Sequence, residues 1–192
     1  MDAKKLNNIS ITEYLEIERS TKTRHEYHDG TIVALAGGSV EHGLISGNTF
    51  GEIKIGLRNK KNNCRVLNSE IKLFIQSTNK YVYPDVMAIC GDIEKTDREI
   101  EAVVNPIVII EVLSKSTESY DRGDKFFFYR QIESLQEYIL IDQYQPQVDI
   151  YKRQSDLWEI KRIEGLDQQF EIPSLGIVID MKNIYEDIVF PK

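Results

Sequence analysis

Over 65–75 the chain alternates with period two. Leu67, Ser69, Ile71, Leu73 and Ile75 fall on one side and Asn68, Glu70 and Lys72 on the other, which predicts one half-buried strand. The run 81–89 reads as its hairpin partner, and Pro84, which cannot donate to a ladder, marks a bulge or an unpaired side there. Positions 106–113 carry branched apolar residues without alternation, the pattern of a central strand covered on both faces. Nearer the start, Ser10 caps a short amphipathic helix carrying Ile11, Tyr14, Leu15 and Ile17. Asp29-Gly30 joins two strand-like runs as a tight hairpin. After Gly37-Gly38-Ser39, the segment 41–57 places Leu44, Ile45, Phe50, Ile53 and Leu57 at helical spacing. Residues 114–118 supply loop and cap positions for a helix over 121–133, with Phe127, Phe128 and Ile132 available for the core. Strands are expected over 137–141 and 148–152, around the turn at Gln145-Pro146, and again over 158–163 and 176–179, with a helical turn over 183–188. This order specifies a mixed α/β sheet, and with no repeat or long linker one domain over 1–192 is expected.

Composition excludes some classes. With 41% hydrophobic and 29% charged residues the chain is neither disordered nor low-complexity. A purely apolar stretch such as 107–110 is far too short to cross a bilayer, and Met1-Asp2-Ala3-Lys4-Lys5 runs into polar sequence instead of a signal-type block. The expectation is a soluble cytoplasmic protein with no membrane partner. Cys64 and Cys90 show no ligand spacing and read as two reduced thiols. A net charge of −7 disfavours passive duplex binding, but it is unevenly spread. Segment 52–72 holds six basic and two acidic residues, including Arg58, Lys60, Lys61 and Arg65, whereas 85–101 holds two basic and six acidic. A solvated helix end explains the basic cluster at least as well as a phosphate contact.

The candidate chemistry starts with Glu111, inside the most apolar strand. An ionised carboxylate there costs several kcal/mol unless an arginine, a lysine or a metal compensates it. Asp85 follows the strand-interrupting proline on a strand expected in the same sheet. Two neighbouring carboxylates oppose each other's ionisation, and a shared divalent cation removes the conflict. On a helix over 121–133, Lys125 shares a face with Asp121 and Tyr129. That helix starts just after the Glu111 strand, where an ammonium could orient water and offset charge on a phosphate. The three histidines, His25, His28 and His42, precede every plausible nucleophile, no Gly-x-Ser-x-Gly elbow occurs, and no phosphate loop occurs.

Tyr27-His28-Asp29-Gly30, Glu41-His42, Tyr83-Pro84-Asp85-Val86, Glu111-Val112-Leu113-Ser114, Ser116-Thr117, Tyr120-Asp121-Arg122-Gly123, Lys125, Tyr138 and Asp142 occur together in this order. In these elements, over roughly 10–185, the chain resembles the Uma-type family of bacterial restriction endonucleases, within the PD-(D/E)XK nuclease superfamily. The resemblance implies a restriction-endonuclease-like fold, a central mixed β-sheet flanked by helices, and hydrolysis of DNA phosphodiester bonds with Mg²⁺ or Mn²⁺. Asp85 and Glu111 match the metal-binding carboxylates. The superfamily's usual lysine, two places after the glutamate, is replaced by Leu113, and Lys125 matches the family's helix lysine. Glu70 is an extra ligand candidate or an outward-facing strand residue; His42, Asp121 and Tyr129 support the site, and His25 and His28 read as hairpin surface. Two rivals stay open: a nuclease-like module that binds nucleic acid or protein without cleaving, favoured by Leu113, and a structural pairing of Asp85 and Glu111 with arginine or lysine. A homodimer suits cleavage of two strands, though no residue requires it.

Overall fold

The computed structural model describes residues 5–58, 60, 62–97 and 101–190. Lys61 of the basic cluster, Arg98 and Glu99 of the acidic segment, and Met1 to Lys4 lie outside them. The chain begins with β1 (Lys5–Asn7) and α1 (Ile11–Ser20). Ser10 caps α1 reciprocally with Glu13, each taking the other's backbone N–H. The hairpin β2 (His25–His28) and β3 (Thr31–Ala34) turns at Asp29 and Gly30, whose φ values of 44° and 97° are the left-handed pair that a two-residue turn requires. Helix α2 (Val40–Arg58) comes next and buries Ile45, Thr49, Ile53 and Leu57, a stripe repeating every four residues.

The period-two run at 65–75 is two strands, not one. β4 (Cys64–Asn68) ends in a turn at Ser69 and Glu70, and β5 (Leu73–Ile75) belongs to another sheet. Its partner divides in the same way, into β6 (Lys80–Val82) and β7 (Val86–Cys90), with Tyr83-Pro84-Asp85 between them. β5 pairs with β6 and β4 with β7, so the expected hairpin exists but is shared between two sheets. Pro84 ends a strand because it has no N–H to give. The split also corrects the cysteines: Cys64 and Cys90 are direct cross-strand neighbours and are joined by a disulfide.

β8 (Val108–Leu113) is buried at all six positions, as its sequence demands. The predicted helix over 121–133 begins and ends earlier: α3 (Glu118–Tyr120), a wider π turn (Asp121–Lys125) and α4 (Phe126–Tyr129). The π turn shifts the phase of α4, so Phe127 is half exposed while Phe126 and Phe128 pack on the core. β9 (Glu137–Asp142), β10 (Gln147–Gln154) and β11 (Leu157–Glu164) continue the sheet. β12 (Gln169–Ile172), which the hydrophobic pattern does not predict, pairs with β13 (Ile177–Asp180), and the closing helical turn is α5 (Met181–Ile184), earlier than 183–188.

The central sheet has the order β11-β10-β9-β8-β7-β4 and is mixed, with β8 and β9 parallel and the remaining neighbours antiparallel. One face carries Val108, Ile110 and Val112 and is covered by α2, the β12–β13 ribbon and α5. The other carries Ile109 and Leu113 and is covered by Tyr129, Ile132, β5 and β6. Glu111 has the parity of this second face. A smaller sheet, β1-β3-β2-β6-β5, holds Tyr14 of α1 against Tyr27 and Tyr81. No helix among the described residues is long and apolar enough to cross a membrane.

Candidate active site

Glu111 lies on β8 with 3% of its surface exposed. The π turn brings Asp121 and Lys125 over it and α4 brings Tyr129, and the Tyr138 hydroxyl fixes the turn by donating to the Asp121 carbonyl at 3.0 Å. Lys125 Nζ stands 2.9 Å from Glu111 Oε1 and 3.2 Å from Asp121 Oδ1, and the Tyr129 hydroxyl donates to the same Glu111 oxygen at 2.8 Å. Leu113, at the superfamily's usual lysine position, is instead core. The ammonium therefore reaches the carboxylate from the helix.

Asp85 arrives from the strand break. Continuing the register Val86↔Ile110 would set Pro84 opposite Val112, and the Asp85 carboxylate fills that interruption by accepting the Val112 N–H through Oδ2 at 2.8 Å. His42, on the first turn of α2, approaches the same oxygen through Nε2 at 3.2 Å. Glu70 is not brought here: it is exposed and pairs with Arg24 at 3.2 Å. Of the residues singled out in the sequence, Glu111, Lys125, Asp121 and Tyr129 form one bonded group, and Asp85 with His42 a second, which meets the first through the Val112 N–H next to Glu111.

Sequence reasoning misses Glu26. It is buried on β2, accepts the Tyr83 N–H at 3.4 Å and meets His28 Nε2 at 3.1 Å, so His28 is no plain surface residue. His25 likewise meets Glu18, at 3.1 Å. A carboxylate in a polar-looking hairpin leaves no local signal. Tyr120 is a second omission; its hydroxyl is buried without a hydrogen-bond partner among the described residues, and its ring lies 6.0 Å from Lys125 Nζ.

Burial pushes the Glu111 carboxyl up to about 8 against the pull of Lys125, and Asp85 and Asp121 add to the rise. Burial works against the Lys125 ammonium, but Glu111, Tyr129 and Asp121 outweigh it and hold it well above the ordinary lysine range. The Asp85 hydrogen bond raises His42 against its burial. Burial also opposes Glu26, yet His28, Lys125 and the Tyr83 N–H bring its carboxyl below the usual range.

The donor set suits a hard divalent cation. Among the described residues nothing hydrogen-bonds to Asp85 Oδ1 or Glu111 Oε2, so each carboxylate keeps one oxygen uncommitted. No three His, Cys, Asp or Glu side chains form a ligand cluster among the described residues, and Mg²⁺ commonly takes one or two carboxylates and keeps several waters. A cation there would also offset the burial, and the Asp85 and Asp121 charges, that raise Glu111.

The family model described as "Putative restriction endonuclease", Uma2, matches residues 11–182. The chain is 33% identical over 186 residues to the uncharacterised Synechocystis protein slr1290, covering 95% of this chain and 94% of that one. It is 34% identical over 170 residues to sll1609 of the same organism, covering 88% and 95%. A crystal structure from Anabaena variabilis, titled a "putative nuclease belonging to DUF820", superposes with a TM-score of 0.73 at 17% identity, covering 94% of this chain and 99% of that one. With its mixed sheet, its restriction-endonuclease-like fold and this match along nearly its whole length, the chain belongs to the Uma2 family, whose model carries the description "Putative restriction endonuclease".

Proposed function

We propose that the protein is a DNA endonuclease that hydrolyses phosphodiester bonds with Mg²⁺ or Mn²⁺. The observation that carries this reading is the convergence of Asp85, Glu111 and Lys125 from a strand break, a central strand and a helix, with Lys125 Nζ 2.9 Å from Glu111 Oε1. Asp85 and Glu111 would hold the cation. When bound, a divalent ion supplies Lewis acidity toward a phosphate oxygen and lowers the pKa of a water.

The chain's own side chains do the rest. Lys125, kept as an ammonium by its carboxylate neighbours, orients the attacking water and offsets charge gathering on the phosphate. Tyr129 fixes Glu111 through Oε1, and His42 and the Val112 N–H fix Asp85 through Oδ2, so the uncommitted oxygens are held in place. Arg58, Lys60 and Arg65 are exposed at the opposite end of α2 from His42, where they would offer a basic surface only to a duplex that extends along the helix beyond the site. Affinity for DNA is accordingly weak and salt-sensitive.

Calorimetric Mn²⁺ titration of the wild type and Glu111→Gln, with plasmid nicking by both, tests the reading. The expected result is Mn²⁺ uptake and nicking by the wild type, both lost in the variant. Uptake without nicking by the wild type would replace the nuclease by a binding module, and no uptake would leave Asp85 and Glu111 a structural role.

A further inference from the structure

We propose that β11 is a homodimer interface, pairing antiparallel with β11 of a second copy so that the central sheet runs through both chains. β11 is the edge of that sheet. It pairs with β10 over eight residues without a bulge and contains neither proline nor glycine. A long regular edge of this kind presents a row of unpaired N–H and C=O groups, the template for another strand. The opposite edge, β4, is only five residues long. β11 also leaves Leu157 74% and Ile160 60% exposed, a poor state for a solvent-facing edge.

The sequence of β11 selects the partner and the register. A two-fold antiparallel pair keeps same-face side chains opposite one another only when the axis passes beside a residue. Centred on Ile160, the pairing sets Glu159 opposite the second copy's Lys161, Trp158 opposite its Arg162, Leu157 opposite its Ile163, and Ile160 opposite itself. Each of these is a favourable cross-strand pair. Centring on Glu159 or on Lys161 would set two like charges face to face. The pairing also joins ladders already present: Arg153 covers the Trp158 ring at 4.6 Å, and Arg162 bonds to Asp149 at 2.7 and 3.1 Å. This inference does not depend on the proposed nuclease activity.

Analytical ultracentrifugation of the full chain should give twice the 22.2 kDa chain mass. Glu159→Lys and Lys161→Glu, both at exposed positions, should each weaken the dimer by about tenfold, and the double exchange should restore it. Ile160→Cys should form a covalent dimer on oxidation, whereas Leu157→Cys should not, because position 157 faces 163. A monomer at the highest soluble concentration, a dimer indifferent to the charge changes, or equal cross-linking at 157 and 160 would overturn the proposal. Circular dichroism of each variant separates lost pairing from lost folding.

Discussion

Replacing Glu111 by Gln removes the titrating group and keeps the shape, and its effect on stability has a direction in pH that the site dictates. Burial, aided by Asp85 and Asp121, raises the folded-state carboxyl from 4.5 to about 8. Between those values the unfolded chain has released a proton that the folded chain still holds. The protonated carboxyl's contribution is therefore complete below about 4.5 and is lost as pH climbs through about 8. At about 1.4 kcal/mol per pH unit the complete loss is roughly 4–5 kcal/mol, and relaxation of the site around the charge reduces it toward about half. Gln carries no such penalty and still accepts from Tyr129 and Lys125. In chelator, the unfolding free energy of Glu111→Gln relative to wild type should swing toward the variant by about 2–4 kcal/mol between about pH 5 and pH 8. Urea denaturation across that range measures the swing. A difference that stays flat with pH would refute burial as the dominant influence on Glu111, and with it the electrostatic case for a cation.

Lys125→Met should lower nicking by about a hundredfold or more while leaving Mn²⁺ binding detectable by calorimetry, because the ammonium acts on charge at the phosphate and is not a ligand. Tyr129→Phe deletes a 2.8 Å hydrogen bond to a buried carboxylate and should cost about 1–2 kcal/mol, read from thermal unfolding. Intact-mass analysis without reductant should find the chain lighter by two hydrogens than after reduction, and Cys64→Ser should destabilise by roughly 3 kcal/mol, since the bridge closes a loop across 26 positions. Gly30→Val, at φ 97°, should cost about 1–2 kcal/mol by strain in the hairpin turn, again seen as a lower melting temperature.

Much of the site is legible in the sequence because its parts violate local patterns. Glu111 interrupts an apolar strand, Asp85 follows a proline where a strand should continue, and Lys125 recurs with Asp121 and Tyr129 on one helix face. Each is an anomaly visible within a few residues. The features that escape are nonlocal. Alternation continues through Ser69 and Glu70, so nothing in the period reveals that β4 and β5 belong to different sheets. The disulfide escapes for the same reason: Cys64 and Cys90 become neighbours only after an excursion through the smaller sheet. The π turn leaves no propensity signature either, and it exchanges the roles of Phe126 and Phe127. Glu26 reads as one more polar residue until tertiary packing buries it.

The crossing at Tyr83-Pro84-Asp85 acts as a mechanical splice. Tyr83 is tied by its N–H to Glu26 in the smaller sheet, and two residues later Asp85 is tied to Val112 in the larger one. A slide between the sheets of one residue spacing, about 3.3 Å, exceeds what either tether tolerates. Damage to the hairpin that carries Glu26 is thus transmitted to Asp85, a remote lesion felt at the candidate site.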